Sequence, residues 1–151
     1  MPREVILIAA VTIDGYIARH SLEVTSWSKD LSLFKKQTMG NPVVVGSNTF
    51  KTLEKDLSGR DVICVSRDSI PQKVIGSIKK DRCFIIGGGK TYSRFSGFLT
   101  HLYITPHPYV FNKGIQLFEG KIKELKLKFK KLIIVNKEQG VFQYQYEVIK
   151  A

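Results

Sequence analysis

The sequence predicts an α/β protein. The expected form is a three-layer sandwich whose central, mostly parallel sheet of about eight strands ends in an antiparallel C-terminal hairpin, with helices on both faces. Three observations carry this expectation. Val43-Val44-Val45 and Cys83-Phe84-Ile85-Ile86 are short, unbroken apolar runs of the kind a strand shows when both its faces are covered. Helix-like segments separate such runs through the first two-thirds of the chain, which is the alternation of a parallel sheet. The last stretch differs, because Leu132 to Val135 and Phe142 to Ile149 flank Glu138-Gln139-Gly140 and read as two strands joined by a turn.

In chain order, strands are expected near Val5 to Ile13, Pro42 to Gly46, Asp61 to Ser66, Arg82 to Ile86, Leu102 to Thr105, Leu132 to Lys137 and Phe142 to Ile149. The first helix starts at Ser28-Lys29-Asp30 and carries Leu31, Leu33, Phe34 and Thr38 until Gly40-Asn41-Pro42 stops it. Shorter helices fit Thr49 to Leu53 and Lys90 to Phe95.

A chain of 151 residues has the size of one core, so a single domain over residues 1–151 is expected. The apolar stretch Val5 to Val11 is too short to span a bilayer and is not followed by a small-residue cleavage pattern, which points to a cytoplasmic protein. Cys64 and Cys83 sit inside apolar runs and read as reduced core thiols. Two cysteines make no metal-ligand set, so no metal is expected.

The formal charge of +11 fits either a field for polyanions or a lysine-rich solvated surface, and the second is the better reading. Much of the excess lies in Lys121 to Lys131. There Leu125, Leu127 and Phe129 alternate with Lys126, Lys128 and Lys130 at the period of a half-buried strand. Without zinc spacing, a basic heptad helix or an aromatic RNA-binding cluster, no nucleic-acid partner is expected.

Two apolar runs end at small-residue turns, Gly46-Ser47-Asn48-Thr49 and Gly87-Gly88-Gly89-Lys90-Thr91. A glycine at a strand end lets backbone approach a ligand closely, and a helix opening there aims free N–H groups at an anion. Two such turns suggest a long ligand with a pyrophosphate. Val65-Ser66-Arg67-Asp68 is a third strand end, in the position where open α/β sheets bind ligands, and Arg67 suits a phosphate monoester.

The segments Asp30 to Thr38 and Asn41 to Phe50 closely resemble dihydrofolate reductases, as do Ile8-Ala9-Ala10, Ile13 to Ile17, Leu57-Ser58-Gly59-Arg60, Ile85 to Tyr92, Leu102 to Thr105 and Tyr144 to Ile149. The resemblance runs in order along nearly the whole chain. It implies an enzyme that passes a hydride from NADPH to C6 of 7,8-dihydrofolate, protonates N5 and releases tetrahydrofolate.

It also assigns roles. Asp30 would grip the amidine-like edge of the pterin and Thr105 would hydrogen-bond that carboxylate, these two being the catalytic pair. Phe34 would pack on the benzoyl ring and Arg60 would take the carboxylate of the glutamate tail. Ile8, Ala9, Leu31, Leu53, Leu57 and Ile86 would complete the substrate pocket. On the cofactor side, Gly46, Ser47, Asn48 and Thr49 would meet the pyrophosphate, and Ser66 and Arg67 the ribose and its 2′-phosphate. Gly87, Gly88, Gly89, Lys90 and Thr91, with Ala10, Ile17, Ile86 and Tyr92, would hold the nicotinamide half. The loop from Arg19 to Trp27 would be a lid, and a water beneath it the proton source. The resemblance implies a monomer or weak homodimer.

Three positions depart from the family pattern. Trp27 stands only three residues before Asp30, Ser47 replaces an arginine, and Asn112 to Phe118 lacks a customary acid. The last segment is similar to riboflavin-pathway pyrimidine reductases, whose substrate is a ribosylaminopyrimidine 5′-phosphate, and these supply the main alternative. A non-catalytic basic module that binds nucleotides or nucleic acid is the rival from another class.

Overall fold

The computed structural model describes residues 1–23, 26–53 and 57–150. Its centre is a seven-stranded sheet built from β1 (Glu4–Thr12), β3 (Pro42–Gly46), β4 (Asp61–Val65), β5 (Arg82–Ile85), β6 (His101–His107), β8 (Leu127–Asn136) and β9 (Val141–Val148). The spatial order is β4-β3-β5-β1-β6-β9-β8. Neighbours from β4 through β6 run parallel, and β9 is antiparallel to both β6 and β8. The mostly parallel sheet with its antiparallel C-terminal end is therefore as expected. The strand count is seven rather than about eight, because β2 (Tyr16–Ala18) and β7 (Ile115–Gln116) form a separate antiparallel pair.

Alternation along β1 builds both layers of the core. Val5, Leu7, Ala9 and Val11 face Ile75 of α3 (Pro71–Ser77), Tyr92 of α4 (Gly89–Arg94), and Phe95 and Leu99 beyond it. Ile6 and Ile8 face the other way, with Val43, Val45 and Phe84, toward Phe34 of α1 (Leu31–Thr38) and Phe50 and Leu53 of α2 (Ser47–Leu53). Val43, Val44 and Val45 are fully buried, each worth about 1.5–3 kcal/mol of apolar burial. The amides of Gln37 and Gln143 exchange two hydrogen bonds, at 2.7 and 2.9 Å, and so fasten α1 to β9.

Three local expectations need correction. Helix α3 was not anticipated, because Val74, Ile75 and Gly76 are poor helix formers; its signal is Pro71 in the first turn. Cys64 is exposed, since β4 is an edge strand, and only Cys83 is a core thiol. The lysine-rich stripe forms a strand only from Leu127 onward, as the start of β8, while residues 121–126 lie outside it; Leu127 and Phe129 are exposed rather than half-buried, since the helices of that layer cover the parallel part of the sheet.

Candidate active site

The carboxyl ends of β1, β3 and β5 open onto one edge of the sheet, and the two glycine turns meet there. Gly46 N–H donates to the Gly87 carbonyl at 2.8 Å, so the turns are bonded to each other. A Cβ on Gly46 would lie 2.7 Å from Thr91 Oγ1, and one on Gly88 would lie 3.0 Å from Thr49 Oγ1. Each turn is thus packed by a threonine hydroxyl from the opposite one. Gly87 has φ +127°, a conformation open to glycine and costly for other residues.

Two adjoining cavities flank this junction. The larger, about 820 Å³, lies along Gly46 to Thr49, Ser66, Arg67 and Gly88 to Thr91. Three basic side chains, Arg67, Lys90 and Arg94, line it against one acid, Glu119, and helices as short as α2 and α4 add little positive charge of their own. Arg94 also donates to the carbonyls of Ser66 and Ser69, which holds the Arg67 turn against α4.

The smaller cavity, about 130 Å³, is walled by apolar Ile8, Leu31, Phe34, Leu53 and Ile86, with Asp30 among them. Ile17, Ala18, Ser21, Thr49 and Gly88 line both spaces, so the two adjoin along a shared wall. Among the described residues the inner walls contain two acids, Glu23 and Asp30, and no Lys or Arg.

Asp30 is 5% exposed. It stands at the N-cap of α1 yet its side chain makes no capping bond, so helix capping does not account for it. Its Oδ1 instead accepts a hydrogen bond from Ser28 Oγ at 2.5 Å. The segment ahead of it is fixed by His107: Lys29 N–H donates to Nε2 at 2.9 Å, while Nδ1 lies 2.8 Å from the Thr105 carbonyl. Those partners set the tautomer, with the proton on Nδ1. Trp27 packs edge-on against His107 and Phe111, at ring separations of 5.2 and 5.4 Å. Tyr92 donates from its hydroxyl to the Ile8 carbonyl at 2.7 Å; burial, and then the negative charge of Asp30, push its ionisation far above the usual tyrosine range.

The sequence-predicted residues fall into two groups by position, with Ile17, Thr49 and Gly88 shared between them. Ile8, Ala9, Asp30, Leu31, Phe34, Leu53 and Ile86 line the inner cavity together with Ala10, Ile17, Gly87 and Tyr92. Gly46, Ser47, Asn48, Thr49, Ser66, Arg67, Gly88, Gly89, Lys90 and Thr91 line the outer one. Three others lie elsewhere. Leu57 is buried in the core beneath the site. Arg60 donates to Thr38 Oγ1 and to the carbonyls of Ser58 and Lys35, which ties it to the end of α1. Thr105 is also off the cavity walls; its buried Oγ1 has no hydrogen-bond partner among the described residues, and Ser28 does for Asp30 what Thr105 was expected to do.

Sequence reading missed Ser28, Thr52 and Glu23 in the inner walls and Arg94 in the outer. Ser28 was visible only as helix-start punctuation. Of the lid, residues 24 and 25 lie outside the described residues. Its first part is held by Arg19, whose guanidinium sits 4.1 Å over the Phe111 ring and pairs with Glu23 at 2.6 Å. No group of metal-ligating side chains occurs among the described residues.

Residues 4–131 match the family model for dihydrofolate reductase. The type 3 dihydrofolate reductase of Salmonella typhimurium is 32% identical over 111 residues, which is 66% of this chain and 68% of the relative. The Haemophilus influenzae enzyme is 28% identical over 110 residues, 66% and 69% of the two chains. In structure, dihydrofolate reductase from Enterococcus faecalis, solved in complex with NADP(H) and RAB-propyl, superimposes with TM-score 0.76 over 99% of both chains at 19% identity. A Shewanella sp. PV-4 protein linked by its name to riboflavin biosynthesis does so with TM-score 0.64, over 97% and 99%, at 17% identity.

Proposed function

The chain belongs to the dihydrofolate reductase family, and from that premise we propose that it reduces 7,8-dihydrofolate to 5,6,7,8-tetrahydrofolate with NADPH. One observation supports this above the others. Asp30 is a buried carboxylate that neither caps its helix nor meets a cation on the inner walls, in an apolar slot opening into a basic cavity. Ser28 meets one carboxylate oxygen with a neutral hydroxyl, and a buried charge that faces no cation stays costly unless further donors reach it. A flat heterocycle with paired N–H donors satisfies that need, and two parallel hydrogen bonds fix its orientation as well as its affinity.

The outer cavity fits a pyrophosphate dinucleotide. The absence of side chains at Gly46 and Gly88 lets the two turns close on each other, and Thr49, Lys90, Arg67 and Arg94 line the space with one acid, Glu119. When bound, NADPH would supply the hydride. The protein's own work is positional: Ser28 holds the Asp30 carboxylate, Phe34 and Leu31 press the heterocycle flat, and the shared wall at Ile17, Thr49 and Gly88 brings the two ligands together. Asp30 grips the far edge of the heterocycle from C6, so the N5 proton would come from water admitted beneath the Arg19–Trp27 loop.

The pyrimidine-reductase reading asks the inner cavity to hold a phosphate ester. Its described walls carry Asp30 and Glu23 and no basic side chain, which disfavours that substrate. Decay of NADPH absorbance separates the readings. Turnover is expected with dihydrofolate and not with the ribosylaminopyrimidine phosphate, and the opposite pattern would overturn the proposal. Salt-sensitive DNA binding with neither activity would favour the basic module.

A further inference from the structure

On the face of the sheet that β1 shares with α3 and α4, the far end is bare. The paired residues Leu127–Val148, Phe129–Tyr146, Leu132–Tyr144 and Ile134–Phe142 all project to that face, since a bulge after Phe129 keeps the apolar alternation in phase. Along β8 the described residues leave the strip uncovered, with Leu127 39% exposed, Phe129 54%, Leu132 45% and Ile134 62%, whereas on β9 Val148 is buried in the core and Tyr146 packs against it. Phe129, Tyr144 and Tyr146 form a contiguous aromatic cluster with ring separations of 6.0–6.4 Å. Beside this ridge runs a groove lined by Ile13, Pro106, Leu127, Phe142, Tyr144 and Tyr146. An apolar strip of this extent on an edge strand is uncommon on a protein that acts alone.

We propose that this face is where two copies of the chain pair, by a two-fold contact that seats the β8 ridge of each in the groove of the other. Charge placement favours a second copy over an oppositely charged partner. The lysines of β8 belong to the other face: Lys128 pairs across the ladder with Glu147, Lys131 pairs with Gln145, and Lys130 Nζ lies 3.8 Å from the Glu147 carboxylate. The apolar strip thus presents no charge for a partner to read, and closing it against itself brings no like charges into contact. Ridge and groove lie side by side on one face, as a self-complementary contact requires. Face-to-face sheets pack about 10 Å apart, which keeps the basic faces outside.

Eight residues of β8 and three strands of width give roughly 400 Å² per copy. A standard interface uses about 800 Å² per partner, so the expected dimer is weak and reversible, forming only at the upper concentrations.

The test is sedimentation velocity of the full chain from about 5 to about 300 μM. The 17.1 kDa species should shift toward twice that mass, and more so as salt rises, because screening relieves repulsion between two chains of charge +11. Phe129→Lys and Ile134→Lys, both exposed and outside the reductase site, should remain monomeric to at least tenfold higher concentration, with unchanged circular dichroism and unchanged NADPH oxidation. Lys131→Ser, on the opposite face, should dimerise like the parent. A parent chain monomeric throughout overturns the proposal, even if the strip proves to bind some other protein. So does a dimer that Phe129→Lys and Ile134→Lys leave intact, or one that salt dissolves.

Discussion

Ser28 Oγ donates to Asp30 Oδ1 across 2.5 Å from two residues away, so the carboxylate at the head of α1 is oriented by its own segment. Thr105, on the neighbouring strand, leaves its Oγ1 unpartnered among the described residues. This division of labour makes the two hydroxyls separable by mutation.

Asp30→Asn should fold, because the side chain caps nothing, and should lose the ionic half of its grip on the heterocycle. Two charge-assisted hydrogen bonds together contribute about 3 kcal/mol, or about a hundredfold in kcat/KM. Steady-state NADPH oxidation with dihydrofolate checks it, and near-parental kcat/KM would remove Asp30 from the site.

Ser28→Ala should lower kcat/KM about tenfold, and Ser28→Thr should restore most of the loss by keeping the donor. Thr105→Val should be neutral for activity, and should hold or slightly raise Tm by trading an unpaired buried hydroxyl for a methyl group. Should Thr105→Val cost as much turnover as Ser28→Ala, the assignment of Ser28 as the holder of Asp30 is wrong.

Arg67→Ala should narrow the preference for NADPH over NADH by roughly tenfold, the loss of one charge-assisted contact. Arg94→Ala should do part of the same by releasing the Ser66–Ser69 turn. The ratio of kcat/KM for the two cofactors is the readout. An unchanged ratio in Arg67→Ala would show that the 2′-phosphate is read elsewhere.

Burial pushes the Cys83 thiol up to about 12, whereas Cys64 stands on an exposed edge strand. A thiol-specific chromogenic reagent at neutral pH should label one cysteine per native chain and two after unfolding. The folded state keeps the Cys83 proton where the unfolded chain releases it. Stability should therefore fall as pH rises from about 9, a slope that Cys83→Ala makes shallower between about pH 9 and 10, before the buried tyrosines contribute, and that denaturant titrations would measure.

Much of this architecture was legible because parallel strands buried on both faces write themselves as unbroken runs, and Val43–Val45 and Cys83–Ile86 could hardly be anything else. The paired glycine turns were equally plain, since close backbone approach is a local demand. What escaped depended on distant partners. Arg60 looked free to meet a ligand until the fold brought it to the carbonyls of Lys35 and Ser58. Ser28 resembled ordinary helix punctuation because its bond runs to the very residue it introduces. The three-residue β2 and two-residue β7 carry too few side chains to show any period. The exposed apolar side of β8 was misread as half-buried, since alternation tells which residues share a face but not whether anything covers it.

Strand β9 lies between β6 and β8, so the sheet joins its outermost member through the last strand made. During synthesis β8 therefore emerges before β9, its ladder partner among the described residues, with its alternating lysines a deterrent to pairing with another nascent chain. Completion of the fold waits for residues 141–148 to clear the ribosome, and a chain stalled shortly before them would present an orphaned edge to quality-control machinery.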